Sequence, residues 1–203
     1  MITLTLPIAG SLAMFAFVSS ITPGPNNAML LASGANFGFR ASLPHAAGVL
    51  VGFLGLIAVC GLGLGGVFRS YPPLHVALKW GGAAYLLYLA FRIASARAIG
   101  AKAVGARPMS FGQAVAFQGV NPKGWAMALG TVATYLPAGF TRLDLMIAVS
   151  IFGSLNAPSI LTWMGSGVAL RRFLERPAVL RAFNIGMGAL LALSVAMILV
   201  EER

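Results

Sequence analysis

Apolar runs long enough to cross a bilayer recur along the whole chain, with polar residues confined to short intervals between them. Hydropathy places six candidate membrane spans at about 4–22, 43–66, 73–94, 113–136, 144–170 and 182–200, each near the roughly 20 residues a helix needs to traverse the hydrocarbon core. The first interval is the odd one. From Leu4 to Phe39 there are 36 residues without a charge, about 54 Å if they formed one helix. That overshoots a core of about 30 Å and falls short of two full crossings, so a break is expected inside it. Pro23-Gly24-Pro25 is the place, because proline removes a helix donor and pushes the residue before it out of the helical region.

A second interruption stands in the fourth span at "GVNPKGW", where Asn121, Pro122 and Lys123 sit among apolar residues. The third and sixth spans can also be laid over one another, "KWGGAAYLLYL" from Lys79 on "NIGMGALLALS" from Asn184. The expected fold is therefore an all-α integral membrane protein, a single domain (1–203) of six transmembrane helices. It is arranged as two inverted three-helix repeats, 1–94 and 113–203, with broken first and fourth helices and a basic cytoplasmic loop at 95–112. Three helices per half is an odd number, so the second half enters from the opposite side. The competing reading of the match is chance likeness between glycine-rich apolar helices, since small residues are common in membrane helices.

Composition narrows the class. With 59% apolar and 9% charged residues in 203, a soluble globular domain is excluded. A formal net charge of +10 would suit nucleic acid, but its placement points elsewhere. Arg40, Arg92, Arg97, Lys102, Arg107, Arg171, Arg172, Arg176 and Arg181 fall on one side of the six spans, and Arg69, Arg142 and Arg203 on the other. By the positive-inside rule the first side is cytoplasmic, which puts both termini outside. Cys60 is the only cysteine and offers neither a disulfide nor a metal pair. The opening "MITLTLPIAGSLAMF" lacks a basic n-region and reads as part of the first helix.

Irregular backbone at membrane depth survives only when buried in protein or lining a wet cavity, and breaks in corresponding positions of two halves point to a binding site. Pro23, Gly24 and Pro25 free carbonyl acceptors there, while the half-helix beyond presents N–H groups to an anion. Asn26 and Asn27 add donors and acceptors suited to a zwitterion. The competing reading is a proline kink whose asparagines satisfy the freed backbone. Lys123 lies about ten residues into its span, near the midplane, where a cation is costly and usually faces a cavity. Lys79 is shallower and its stem is long enough to snorkel. No acidic residue lies inside the spans to pair with either, so an anionic group on the ligand is the natural partner. Asn156 and Pro158 interrupt the fifth span and either line the same cavity or form a packing kink; Gln118 and Tyr85 are weaker candidates. His45 and His75, near opposite span ends, read as interfacial. Gly34-x-x-x-Gly38, Gly48-x-x-x-Gly52 and Gly61-x-x-x-Gly65 read as helix-packing glycines. Enzyme chemistry fits poorly. Ser166 in "GSG" lacks a placed histidine, no carboxylate pair or metal-ligand cluster exists within the spans, and midplane lysines would repel the ions of a cation channel. No cofactor is expected.

The same residues resemble the lysine-exporter and homoserine–threonine-resistance family (LysE/RhtB type) of bacterial amino-acid exporters. "TPGPNNAMLLASGANFGFRASLPHAAGVLVGF" looks like the family's first block, "KWGGAAYLLYLAFR" its third-helix block and "SFGQAVAFQGVNPKGW" its fourth. "TPGPNN", "GGAAYL" and "RPMSF" look most like the cysteine/O-acetylserine branch, with homoserine and threonine exporters sharing much of the pattern. The resemblance implies a multi-pass protein of the bacterial inner membrane that exports a small zwitterionic amino acid, with protons as the coupling ion. The carry-over falls on Pro23, Gly24, Pro25, Asn26, Asn121, Pro122, Lys123, Lys79 and Gly82. The relay for protons is left open among His45, Lys123 and the substrate's own groups, as is a homodimer. Uncoupled facilitation, an intramembrane hydrolase and a structural subunit surrounded by membrane lipid are the alternatives.

Overall fold

Two prolines in quick succession decide where the first helix ends. Helix α1 (Leu6–Ile21) gives way at Thr22, whose φ of −63° and ψ of 143° are extended because Pro23 follows it; Gly24, at φ −178° and ψ 178°, is extended before Pro25 for the same reason. Pro25 then opens α2 (Pro25–Phe37) at its first position, where a missing N–H costs nothing. The two half-helices meet at 51°. The fourth span repeats the device: α5 (Phe111–Gln118) ends in a turn, Asn121 is extended at ψ 102° before Pro122, and Pro122 opens α6 (Pro122–Gly130), which continues as a π-helical turn at Thr131–Tyr135. Both breaks stand where the sequence puts them.

The computed structural model describes residues 4–64, 72–95, 107–137 and 139–201. Gly65, Arg69, Arg97, Lys102 and Arg203, with most of the proposed basic loop, lie outside the described residues. The remaining elements are α3 (Phe39–Val59) with a kinked extension at Cys60–Leu64, where Gly63 has φ 110°, α4 (Pro72–Ala94), α7 (Arg142–Leu170) followed by a 3-10 turn at Arg171–Glu175, and α8 (Pro177–Glu201). No strand occurs among the described residues. By length and hydropathy α3 and α7 each suffice to cross a membrane, as does the bent pair α1 and α2 taken together; α4 and α8 carry shorter apolar stretches at Ala83–Ala94 and Pro177–Leu193. Capping boxes start α5 (Ser110 with Gln113) and α7 (Thr141 with Asp144). Asp144 also accepts from the Leu4 amide at 2.9 Å, tying the start of α1 to the start of α7.

Packing is inside-out relative to a soluble protein. Leu6, Met14, Phe17, Phe91, Met146 and Leu193 are more than half exposed, whereas Asn27, Ser33, Asn36, Gln118, Asn121 and Asn184 are buried, which suits a hydrocarbon surround. Helices α1 and α2 pack on α7, and α5 and α6 on α3, while α3 meets α7 and α4 meets α8. Glycines allow this. A Cβ on Gly34 would overlap the Met164 carbonyl oxygen, one on Gly167 the Leu31 carbonyl oxygen, and one on Gly48 the Phe111 carbonyl oxygen, so these helices touch backbone to backbone. An aromatic cluster of Phe15, Tyr135, Phe152 and Phe53, with centroids 5.3–6.0 Å apart, fills the space between α1, α3 and α7.

Two expectations need correcting. Asn156 and Pro158 do not interrupt the fifth span, for α7 runs unbroken through both. A lone proline removes one N–H and leaves the rest of the ladder intact; Pro44 sits inside α3 in the same way. His45 is not interfacial: α3 begins at Phe39, a turn earlier than hydropathy suggested, and His45 is 2% exposed with no hydrogen-bond partner on either ring nitrogen. His75, Lys79 and Gly82 lie on α4.

Candidate substrate site at the two helix breaks

A helix that stops at membrane depth leaves its last carbonyls without partners, and an orphaned carbonyl in hydrocarbon costs several kcal/mol. At the end of α1 each has a donor. The Ser19 carbonyl accepts from Thr22 Oγ1 at 3.0 Å, and the Ser20 carbonyl from Asn27 Nδ2 at 2.8 Å and Ser159 Oγ at 2.9 Å. The Ile21 carbonyl accepts from the Trp163 indole at 3.2 Å, and the Thr22 carbonyl from Asn27 Nδ2 at 2.8 Å and Lys123 Nζ at 3.0 Å. The Pro23 carbonyl accepts from Lys123 Nζ at 3.3 Å, and Lys123 also donates to Thr22 Oγ1 at 3.0 Å. Lys123 stands at the negative end of the α1 dipole, where a cation is favoured. Thus the cation of the second break caps the first.

The reverse link runs through amides. Asn26 and Gln118 exchange two hydrogen bonds at 3.0 and 3.1 Å, and Gln118 Oε1 accepts a further one from Asn121 Nδ2 at 3.1 Å. Gln118 Nε2 also donates to the Ala114 carbonyl at 3.1 Å, so both of its polar atoms are occupied. Trp125 donates to the Gly119 carbonyl at 2.9 Å, doing for the second break what Trp163 does for the first.

Between the breaks is a cavity of about 30 Å³, whose polar wall is Ser19, Ser20, Asn26, Asn27, Asn121, Lys123 and Asn156 and whose apolar wall includes Val49, Phe53, Met127 and Ile160. Two buried wall atoms, Ser20 Oγ and Asn121 Oδ1, have no hydrogen-bond partner. Asn156 and Ile160 come from one face of α7 and Val49 and Phe53 from one face of α3. The volume suits a water or two and is too small for an amino acid.

Most of the residues singled out in the sequence meet here. Gly24, Pro25, Asn26, Asn27, Asn121, Lys123 and Asn156 line the cavity, Pro23 supplies a carbonyl to Lys123, and Pro122 sets the start of α6. Lys79 lies on α4, none of whose described residues reaches the wall. Tyr85 stacks near Tyr88 and Phe117, with centroids 6.2 and 6.0 Å away, and also stays off the wall. Gln118, a weaker candidate from sequence, is central. Thr22, Ser20, Ser159 and Trp163 were missed; the signal was there for the first two, as hydroxyls on the last turn before a break. Ser166 has no dyad with His45, whose nitrogens are unpartnered. No group of three metal-ligating side chains occurs among the described residues.

A cysteine/O-acetylserine efflux protein of Salmonella paratyphi A is 32% identical over 142 residues, 70% of this chain and 72% of that protein. A protein of the same description from Escherichia coli K12 is 28% identical over 179 residues, 87% of this chain and 90% of its own. No solved structure matches the chain. The family described as LysE type translocator matches residues 17–202. With that match covering most of its length, the chain belongs to the LysE type translocator family.

Proposed function

We propose that this protein exports small zwitterionic amino acids of the cysteine/O-acetylserine class, with homoserine and threonine as near relatives, across the bacterial inner membrane. The observation that carries the reading is the bonding of Lys123 to the Thr22 and Pro23 oxygens. It brings a cation, freed carbonyls and the amides of Asn26, Asn27 and Asn121 together around one cavity, so that carboxylate and ammonium each find a complement. The names of the relatives support the substrate class.

The architecture in this reading is six spans in two inverted three-helix repeats, supported by the reciprocal packing of each broken helix on the other half's middle helix. Both termini face outward and residues 95–112 face the cytoplasm, on the strength of the basic asymmetry. Export is driven by protons. Lys123 is the titratable side chain on the wall among the described residues, and His45 lies one turn before the wall residue Val49 on α3.

Overexpression should raise tolerance to toxic amino-acid analogues and increase extracellular cysteine or O-acetylserine, and a protonophore should stop it. Lys123→Met and Asn26→Leu should abolish export at normal membrane levels, with Lys79→Met milder. No change for any amino acid on a broad panel would refute the reading. Export indifferent to the protonophore would instead identify an uncoupled facilitator.

A further inference from the structure

The Lys123 ammonium has three N–H donors, and three oxygens converge on it: the Thr22 carbonyl at 3.0 Å, Thr22 Oγ1 at 3.0 Å and the Pro23 carbonyl at 3.3 Å. That is a receptor for a primary ammonium group, set at the negative end of a half-helix. An amino acid brings the same group, with the same three donors, to the same wall. Among the described residues no carboxylate lines the cavity, so one cation at a time can use these oxygens, and a second must find its counter-charge elsewhere.

Space leads to the same conclusion. The cavity of about 30 Å³ has no room for an amino acid, so admission requires something to move. Lys123 is the natural mover, because its stem is flexible and crosses directly over Gly24. A Cβ placed on Gly24 would stand 2.8 Å from Lys123 Cδ and 3.0 Å from Nζ. Two other polar groups of the wall are braced, Asn27 by two carbonyls and Asn26 by a pair of hydrogen bonds to Gln118.

We propose that the Lys123 ammonium is a tethered stand-in for the substrate's α-ammonium, and that the two exchange places. The arriving –NH₃⁺ takes the Thr22 and Pro23 oxygens, Lys123 swings off Gly24 and meets the substrate carboxylate, and space opens as it leaves. The exchange conserves hydrogen bonds and charge: three N–H donors replace three, and the displaced cation gains an anion it did not have. Asn121 Oδ1 and Ser20 Oγ, buried without partners, are further groups the ligand can engage. Selectivity follows. The substrate needs N–H donors to displace Lys123 and a carboxylate to receive it, so neither an N-trimethylated amino acid nor an amino-acid amide completes the exchange.

The inference rests on the amino-acid export reading, and the test separates the two. Purified protein in detergent is titrated with O-acetyl-L-serine, its carboxamide and its N,N,N-trimethyl derivative. The wild type should prefer the parent to both by about tenfold or more, the range of one hydrogen-bonded charge. Lys123→Met frees the oxygens and removes the carboxylate's partner. It should bind parent and carboxamide within about threefold of each other and still reject the trimethyl compound by about tenfold. A Lys123→Met protein that keeps the tenfold preference for the parent, or that is folded and binds none of the three, overturns the exchange. Should that variant fail to fold, ¹⁵N-lysine NMR of the wild type decides: the Lys123 Nζ resonance should move on adding O-acetyl-L-serine and stay put with the trimethyl compound. An Nζ signal unmoved by bound O-acetyl-L-serine overturns the exchange alone. A wild type that binds none of the three, in a protein that also exports no amino acid, overturns both readings.

Discussion

The Ser20 carbonyl offers a direct measure of how the first break is held. It accepts from Asn27 Nδ2 at 2.8 Å and from Ser159 Oγ at 2.9 Å, so either donor alone still satisfies it. Asn27→Leu keeps the shape and removes two hydrogen bonds, those to the Ser20 and Thr22 carbonyls. Thr22 keeps Lys123 and Ser20 keeps Ser159, so neither oxygen is orphaned. At the roughly 0.6 kcal/mol typical of polar contacts between membrane helices, the single substitution should cost about 1 kcal/mol. Ser159→Ala, losing one bond, should cost about half that. Together they strip the Ser20 carbonyl of both side-chain donors, and an unsatisfied buried acceptor adds about 1–3 kcal/mol. The pair should therefore exceed the sum of the singles by about 1–2 kcal/mol, well outside the ~0.5 kcal/mol within which independent sites add. Reversible unfolding of the four proteins in mixed micelles gives the cycle. Additive costs would refute the idea that these side chains share the task of capping α1.

Gly34→Ala sets a Cβ on the Met164 carbonyl oxygen, where only backbone movement relieves the overlap, and should cost about 1–3 kcal/mol in the same assay. Gly10→Ala, with nothing within 4 Å, should be neutral or slightly stabilising. Gln118→Leu takes the shared partner from Asn26 and Asn121 and should cut export by about tenfold or more at unchanged membrane level, measured as extracellular amino acid per unit of inserted protein. His45→Leu replaces an imidazole that has no hydrogen-bond partner with an apolar side chain, and the thermal midpoint in detergent should hold or rise; a fall would reveal a partner for the ring.

What could be read in the sequence was local chemistry. Pro23-Gly24-Pro25 and Asn121-Pro122 force extended residues within two positions of themselves, so both breaks were legible. The same rule applied to Pro158 overreached, because its one missing N–H leaves the rest of the α7 ladder intact. Lys123 could be recognised as a buried cation, yet nothing local says that it reaches Thr22, 101 residues away. Ser159 and Trp163 were invisible for the same reason: their task is defined by carbonyls 139 and 142 residues earlier. His45 was misplaced because one extra turn at the start of α3 moves a residue from the helix end into the interior.

Those separations bear on how the protein is made. A chain emerging from the ribosome completes α1 to α4 before α6 and α7 exist, and at that stage only Thr22 and Asn27 are present to serve the end of α1. The Ile21 and Pro23 carbonyls wait for Trp163 and Lys123. A half-synthesised protein thus carries bare polar backbone that lipid does not tolerate, and it must stay in contact with water or the insertion machinery until the second half arrives. Prematurely ended chains keep that defect permanently, giving membrane proteases a chemical mark by which to tell unfinished protein from finished.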